Sequence, residues 1–209
     1  MVERQAAPGF YLFGFVRAVE SWEILRRKDT EGLGLQRVAY RDVAAVVAPM
    51  EFGHVEVAEE TILTHHRVND ETMRRETVLP APVGVVFRDR KAVLRLLREQ
   101  HHLIDRGLAL VEGHWEVRIQ MDATGAEPAG IERGELARRA FAELKESARA
   151  STPFEVAEDT VFGAAFLVER DRLSSFVERA EALESSLDGE LAFDITWPWP
   201  PYDFIRLTD

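Results

Sequence analysis

The sequence predicts an α+β protein of two domains, the second a ferredoxin-like sheet. Three observations carry this. From Trp115 onward the elements read β-α-β-β-α-β. That is the split βαβ order of an antiparallel four-stranded sheet with both helices on one face. Two stretches alternate with the period of two that marks a half-buried strand. They are Trp115-Glu116-Val117-Arg118-Ile119-Gln120-Met121, and Leu191, Phe193, Ile195 and Trp197 set against Ala192, Asp194 and Thr196. The chain has 209 residues, 46% of them hydrophobic, which is enough for two small domains. The division is expected near 107–113, giving an α+β domain over 1–110 and the ferredoxin-like domain over 111–209. The halves share element order but no sequence repeat.

In the first half, the near-continuous apolar run 10–16 predicts a strand buried on both faces. A short helix is expected over 20–27 and a glycine-bearing loop over 28–34. Two strands follow, 35–40 and 43–48, joined tightly at Arg41-Asp42. A helix over 60–75 has a thin apolar face: Ile62, His65 or His66, Val68 or Asn69, and Met73. Pro80 and Pro82 argue against a regular central strand at 78–82, so the strand is placed at 83–87. Asp89 caps a helix to about Arg106, with Val93, Leu97, His101 and Ile104 inward and Gly107 as terminator.

In the second half, strand 115–121 leads through a loop at 123–130 to an amphipathic helix over 133–149. Leu136, Ala140, Phe141, Leu144 and Ala148 share its face. A short strand is expected at 154–156 and a stronger one at 161–168. Asp171 caps the last helix, which aligns Leu173, Phe176, Val177, Ala180, Leu183 and Leu187 and closes at Gly189. Strand 191–197 comes last, and three prolines are expected to end it.

Several functions are disfavoured. There are no cysteines, so thiolate chemistry and disulfides are absent, as in a reducing compartment. No apolar run reaches the roughly 18 residues of a membrane span, and residues 1–8 lack a signal-peptide core. A cytoplasmic chain is expected. The net charge of −11 comes without a basic stripe, against a nucleic-acid binder. The basic clusters, Arg88-Asp89-Arg90-Lys91 and Arg138-Arg139, are mixed with acids.

The sequence offers little chemistry. It has no phosphate-cradling glycine motif and no nucleophile elbow. Gly32-Leu33-Gly34 reads as a turn, and Ser185-Ser186 lies in a helix end. His54 and His114 stand alone, and adjacent histidines diverge on a helix, so His65-His66 and His101-His102 cannot each give two ligands to one metal. The acids Glu59-Glu60, Glu181 and Glu184 read as solvated charge. No catalytic residue, metal or cofactor is expected. Three functional classes are weighed: an interaction protein, a small-molecule-binding regulatory module, and, weakest, a hydrolase or metalloenzyme using His65 or His101.

The ending differs: Trp197-Pro198-Trp199-Pro200-Pro201-Tyr202-Asp203-Phe204. Its prolines lower the entropy cost of ordering large amphipathic rings. It reads either as a cap on the end of the sheet or as a rigid docking surface, and the two readings can share residues.

This coda resembles the close of the gas vesicle protein GvpF/GvpL family, a strand followed by a Gly-Pro-Trp-Pro-Pro-Tyr-like motif and an aromatic. Further blocks resemble the family: Val78-Leu79-Pro80 leading to Gly84-Val85-Val86-Phe87, Gly163-Ala164-Ala165-Phe166-Leu167-Val168, the Tyr11-Leu12-Phe13-Gly14 strand, and His65 in the helix before the Val-Leu-Pro run. The resemblance spans almost the whole chain. Trp197 stands where the family usually has glycine, Pro82-Val83 replaces a common Arg-Phe, and 124–160 is shorter than in many members. The resemblance implies two α+β domains, no catalytic residues, a location at the gas vesicle or in the cytoplasm, and a role as a shell-associated or assembly protein. The implied partners are the main gas vesicle shell protein and other gas vesicle accessory proteins. Trp197, Trp199, Pro200, Pro201, Tyr202 and Phe204 are the expected contact residues, with sheet edges offering strand addition.

Overall fold

A computed structural model describes residues 8–18, 32–53, 57–124, 131–157 and 160–205. The helix expected at 20–27 and His54 lie outside them. The chain divides into two compact units, Met1–Glu112 with Ile205–Asp209, and Gly113–Phe204.

Among the described residues the first unit is an antiparallel sheet with three helices. Its strands are β1 (Pro8–Arg17), β2 (Gln36–Tyr40), β3 (Val43–Glu51), β4 (Val78–Pro80) and β5 (Val86–Phe87), and its helices α1 (Glu59–Met73), α2 (Arg90–Glu99) and α3 (His101–Val111). The order is β2-β3-β1-β4, with β5 also pairing β1. β1 is central, which explains its apolar run: Tyr11, Leu12, Phe13, Phe15 and Val16 are all buried.

Three expectations for this unit are corrected. A strand forms at Val78–Pro80, and only two residues of 83–87 join the sheet. Pro80 is tolerated because it ends a short outer strand, where its missing N–H breaks no ladder. The helix begun at Asp89, whose side chain accepts the Ala92 N–H at 2.7 Å, breaks at Gln100 and resumes as α3. Gly107 lies inside α3 rather than ending it. A Cβ there would come within 2.6 Å of Leu79, so glycine lets the helix press onto β4. Gly113, at φ +74°, follows the end of α3.

The second unit contains β6 (His114–Ala123), α4 (Ile131–Leu144), β7 (Ala150–Pro153), β8 (Thr160–Glu169), α5 (Leu173–Ser185) and β9 (Leu191–Trp199). Its antiparallel order, β7-β8-β6-β9, is that of a ferredoxin-like sheet. Both helices lie on one face. Ala137, Ala140 and Leu144 of α4 and Leu173, Phe176 and Ala180 of α5 pack on Val117, Ile119, Met121, Ala164, Phe166 and Val168.

Four details differ from the sequence reading. α4 stops at Leu144 and passes into a 3-10 turn, so Ala148 reaches the core from extended backbone. The short strand is Ala150–Pro153, and 154–156 is irregular. Phe154 and Val156 instead lie over Gly163, where a Cβ would stand 2.5 Å and 2.4 Å from them. Asp171 gives α5 no cap; it sits in a 3-10 turn whose Arg170 carbonyl accepts the Leu173 N–H. β9 continues through Pro198 to Trp199. The register changes there: Arg118 faces Thr196 but Glu116 faces Trp199, so β9 carries one extra residue. An edge strand with a bulge is where a sheet accepts proline.

Candidate docking surfaces

The coda is built onto the sheet more than displayed on it. Pro200, Pro201 and Phe204 are buried, Trp199 and Tyr202 are half-buried, and Trp197 is exposed. After β9 the chain forms a 3-10 turn, Tyr202–Phe204, with the Tyr202 N–H donating to the Pro200 carbonyl at 2.7 Å. The Trp199 indole N–H donates to Thr196 Oγ1 at 3.0 Å. Most of the coda therefore packs onto the sheet, while Trp197 is exposed.

A buried charge cluster fastens this turn. Glu116 on β6 is fully buried. Its Oε1 accepts from Arg118 Nε at 2.7 Å and its Oε2 from the Asp203 backbone N–H at 2.9 Å. Arg118 Nη2 pairs with Asp203 Oδ2 at 3.0 Å. The guanidinium also lies 5.6 Å from the Trp199 ring centroid and 5.9 Å from that of Phe154. Burial, and then the Asp203 carboxylate, push the Glu116 carboxyl up to about 8, against the pull of Arg118. Burial opposes the Arg118 charge, but Glu116 and Asp203 outweigh it and raise its pKa.

The residues considered for chemistry have structural partners. His65 is fully buried, and its Nδ1 accepts from the Tyr11 hydroxyl at 2.9 Å. The Tyr11 oxygen accepts the Gly84 N–H at 3.1 Å. Burial holds His65 down at about 4, against a hydrogen bond with the Ala81 backbone. It is a neutral core histidine tying α1 and β1 to the 81–84 segment. Asn69, one turn on, donates to the Phe13 carbonyl at 3.0 Å, at the bulge where β1 shifts register. This explains the thin apolar face of α1: its buried side carries polar groups that serve the bulge. His101 pairs with Asp42 at 2.8 Å in an exposed network that includes Arg17 and Asp105. No group of three or more His, Asp or Glu among the described residues could hold a metal. Glu184 is more than solvated charge, because its carboxylate accepts the Phe193 N–H at 2.9 Å and so occupies part of the outer edge of β9.

Most of the exposed large apolar side chains among the described residues lie elsewhere. Among the described residues six large apolar side chains are exposed, and five of them, Met50, Phe52, Val57, Ile62 and Leu63, lie in one stretch of the first unit. The structure places two of them, Phe52 and Val57, beside the 84–87 segment that holds β5. A Cβ on Gly9 would come within 2.9 Å of Phe52 and 2.8 Å of the Phe87 carbonyl. A Cβ on Gly84, at the other end of the β5 segment, would lie 3.3 Å from Val57. Val57 leads directly into the first turn of α1, which carries Ile62 and Leu63. Sequence reasoning missed this stretch. One signal was present: Leu63 is two residues from buried His65, so it faces the opposite side of the helix. Exposed Glu51, Glu59 and Glu60 lie in the same stretch of sequence. No helix among the described residues is long and apolar enough to cross a membrane.

The model of the gas vesicle synthesis protein GvpL/GvpF family matches residues 9–133 and 126–206. Gas vesicle protein F1 of Halobacterium salinarum is 24% identical over 187 residues, 86% of each chain. Gas vesicle protein F of Haloferax mediterranei is 25% identical over 174 residues, 81% of each chain. The crystal structure of GvpF from Anabaena superposes with a TM-score of 0.84 at 17% identity, covering 97% of this chain and 98% of that one. GvpF from Microcystis aeruginosa gives 0.74 at 17% identity, covering 94% and 98%. At that identity the solved structures show a shared α+β fold. The family is one of gas vesicle proteins and not a known enzyme family. With its model matched along nearly the whole length, this chain belongs to the gas vesicle synthesis protein GvpL/GvpF family.

Proposed function

We propose that this protein is a gas vesicle assembly factor, or minor shell-associated component, that binds the main shell protein. The observation that supports the reading is that five of the six exposed large apolar side chains among the described residues, Met50, Phe52, Val57, Ile62 and Leu63, fall within one stretch of the first unit, a rim in this reading. A subunit destined for a gas-facing wall exposes apolar surface before it is built in, and such surface aggregates unless covered. A matching apolar rim covers it, and burying even a few side chains contributes about 1.5–3 kcal/mol each before ordering costs. The acids in the same stretch favour a partner segment whose apolar face is flanked by basic groups. Trp197, exposed on β9, is a second contact, with Trp199, Pro200, Pro201, Tyr202 and Phe204 following it in the coda.

Co-expression tests this. The full chain should keep the main shell protein in the soluble fraction and co-purify with it. A folded chain that neither solubilises nor captures the shell protein would contradict the proposal.

A further inference from the structure

We infer that Glu116, Arg118 and Asp203 form a proton-dependent latch that fastens the C-terminal coda to the sheet of the second unit. The argument begins with charge count. Two carboxylates share one guanidinium, and the inner carboxylate is fully buried. With all three groups ionised the cluster holds one uncompensated negative charge. With a proton on Glu116 it is balanced, and Arg118 still pairs with Asp203. A buried excess charge is costly, so the closed arrangement favours the protonated form.

The neighbouring elements offer no further compensation. Among the described residues, β8 places Leu167 and Ala165 opposite Glu116 and Arg118, and β9 places Trp199 and Thr196 there. Phe154 faces the guanidinium from the irregular segment. The charged groups facing Glu116 are therefore Arg118 from its own strand and Asp203 from the coda.

The cluster is also the junction itself. The Asp203 N–H that Glu116 accepts belongs to the 3-10 turn, and the Asp203 carboxylate belongs to the same turn. Lifting the turn would remove both contacts and admit water to Glu116. The released state then holds its proton at an ordinary carboxylate pKa, while the closed state holds it up to about 8. The closed state binds the proton more tightly, so raising the pH through this window favours release. Within it the closed-to-open ratio falls about tenfold per pH unit. Below the window the latch is fully closed.

The experiment is Asp203 amide hydrogen exchange in the full chain from pH 6 to 9.5, corrected for intrinsic rate, with 13C-carboxyl NMR of Glu116. Protection at Asp203 should fall as the pH rises towards the Glu116 midpoint and level off above it. Glu116→Gln, a neutral stand-in for the protonated acid, should stay protected throughout. Asp203→Asn removes the second carboxylate but keeps the backbone N–H, and should move the Glu116 midpoint to lower pH. Wild-type protection that does not change with pH would overturn the latch, as would a Glu116→Gln chain that follows the wild type. Should Glu116→Gln fail to fold, an unmoved midpoint in Asp203→Asn would overturn it.

Discussion

Phe52 and Phe204 are both aromatic and both lie just beyond a strand, yet Phe52 is 44% exposed and Phe204 only 8%. The segment around Phe204 has the more conspicuous sequence, with tryptophans and prolines. The segment around Phe52 looks ordinary. The conspicuous composition serves mainly to close a sheet, because a turn that must lie on an open strand edge needs rigid backbone and large rings to bury. The ordinary segment is the one that leaves its apolar groups uncovered. Aromatic content marks where rings are needed; exposure marks what that packing leaves open.

The largest test of this contrast is stability. Phe204→Ala should destabilise the protein by about 3 kcal/mol through the lost burial and the cavity left behind. Phe52→Ala should cost less than about 1 kcal/mol, as expected at an exposed site. Chemical denaturation checks both, and equal losses would break the contrast.

Acid should affect the first unit through His65. Its folded pKa, about 4, lies below the ordinary 6.5, so the unfolded chain binds the proton more readily. Stability is intact above 6.5 and falls as the pH drops towards 4, by up to about 3 kcal/mol. Because Glu116 contributes with the opposite sign over the same range, denaturant midpoints of Glu116→Gln between pH 7 and 4 measure this.

A smaller effect is expected from Tyr11→Phe. It removes the hydroxyl between His65 and the Gly84 N–H, costing about 1–2 kcal/mol in thermal or chemical unfolding. The smallest is Trp197→Ala, within about 0.5 kcal/mol of wild type by the same measurement, because that ring is 43% exposed and supports little of the sheet.

The ferredoxin-like order was legible because β6 and α5 have clean periods, and the start of α2 in the first unit because Asp89 is a true cap. Features that depend on distant partners were not. Gly107 reads as a helix stop until Leu79 is seen beneath it. Pro198 reads as a strand stop until β9 is known to be an edge with a bulge. Glu116 alternates as a surface residue would, and only the return of the coda 87 positions later buries it. The rim was hidden for another reason. Its members come from a strand end, a connecting segment and a helix start, and no single period links them. Leu63 alone broke the pattern of its own helix.

The most direct test is equilibrium binding of the purified chain to the main shell protein, with two variants side by side. Phe52→Ser combined with Leu63→Ser should weaken binding at least about tenfold while melting like wild type, since hot-spot truncations in apolar patches reach this size. Trp197→Ala should weaken it less. Full binding by the rim variant, with loss confined to the coda variant, would contradict the account and return the docking surface to the coda.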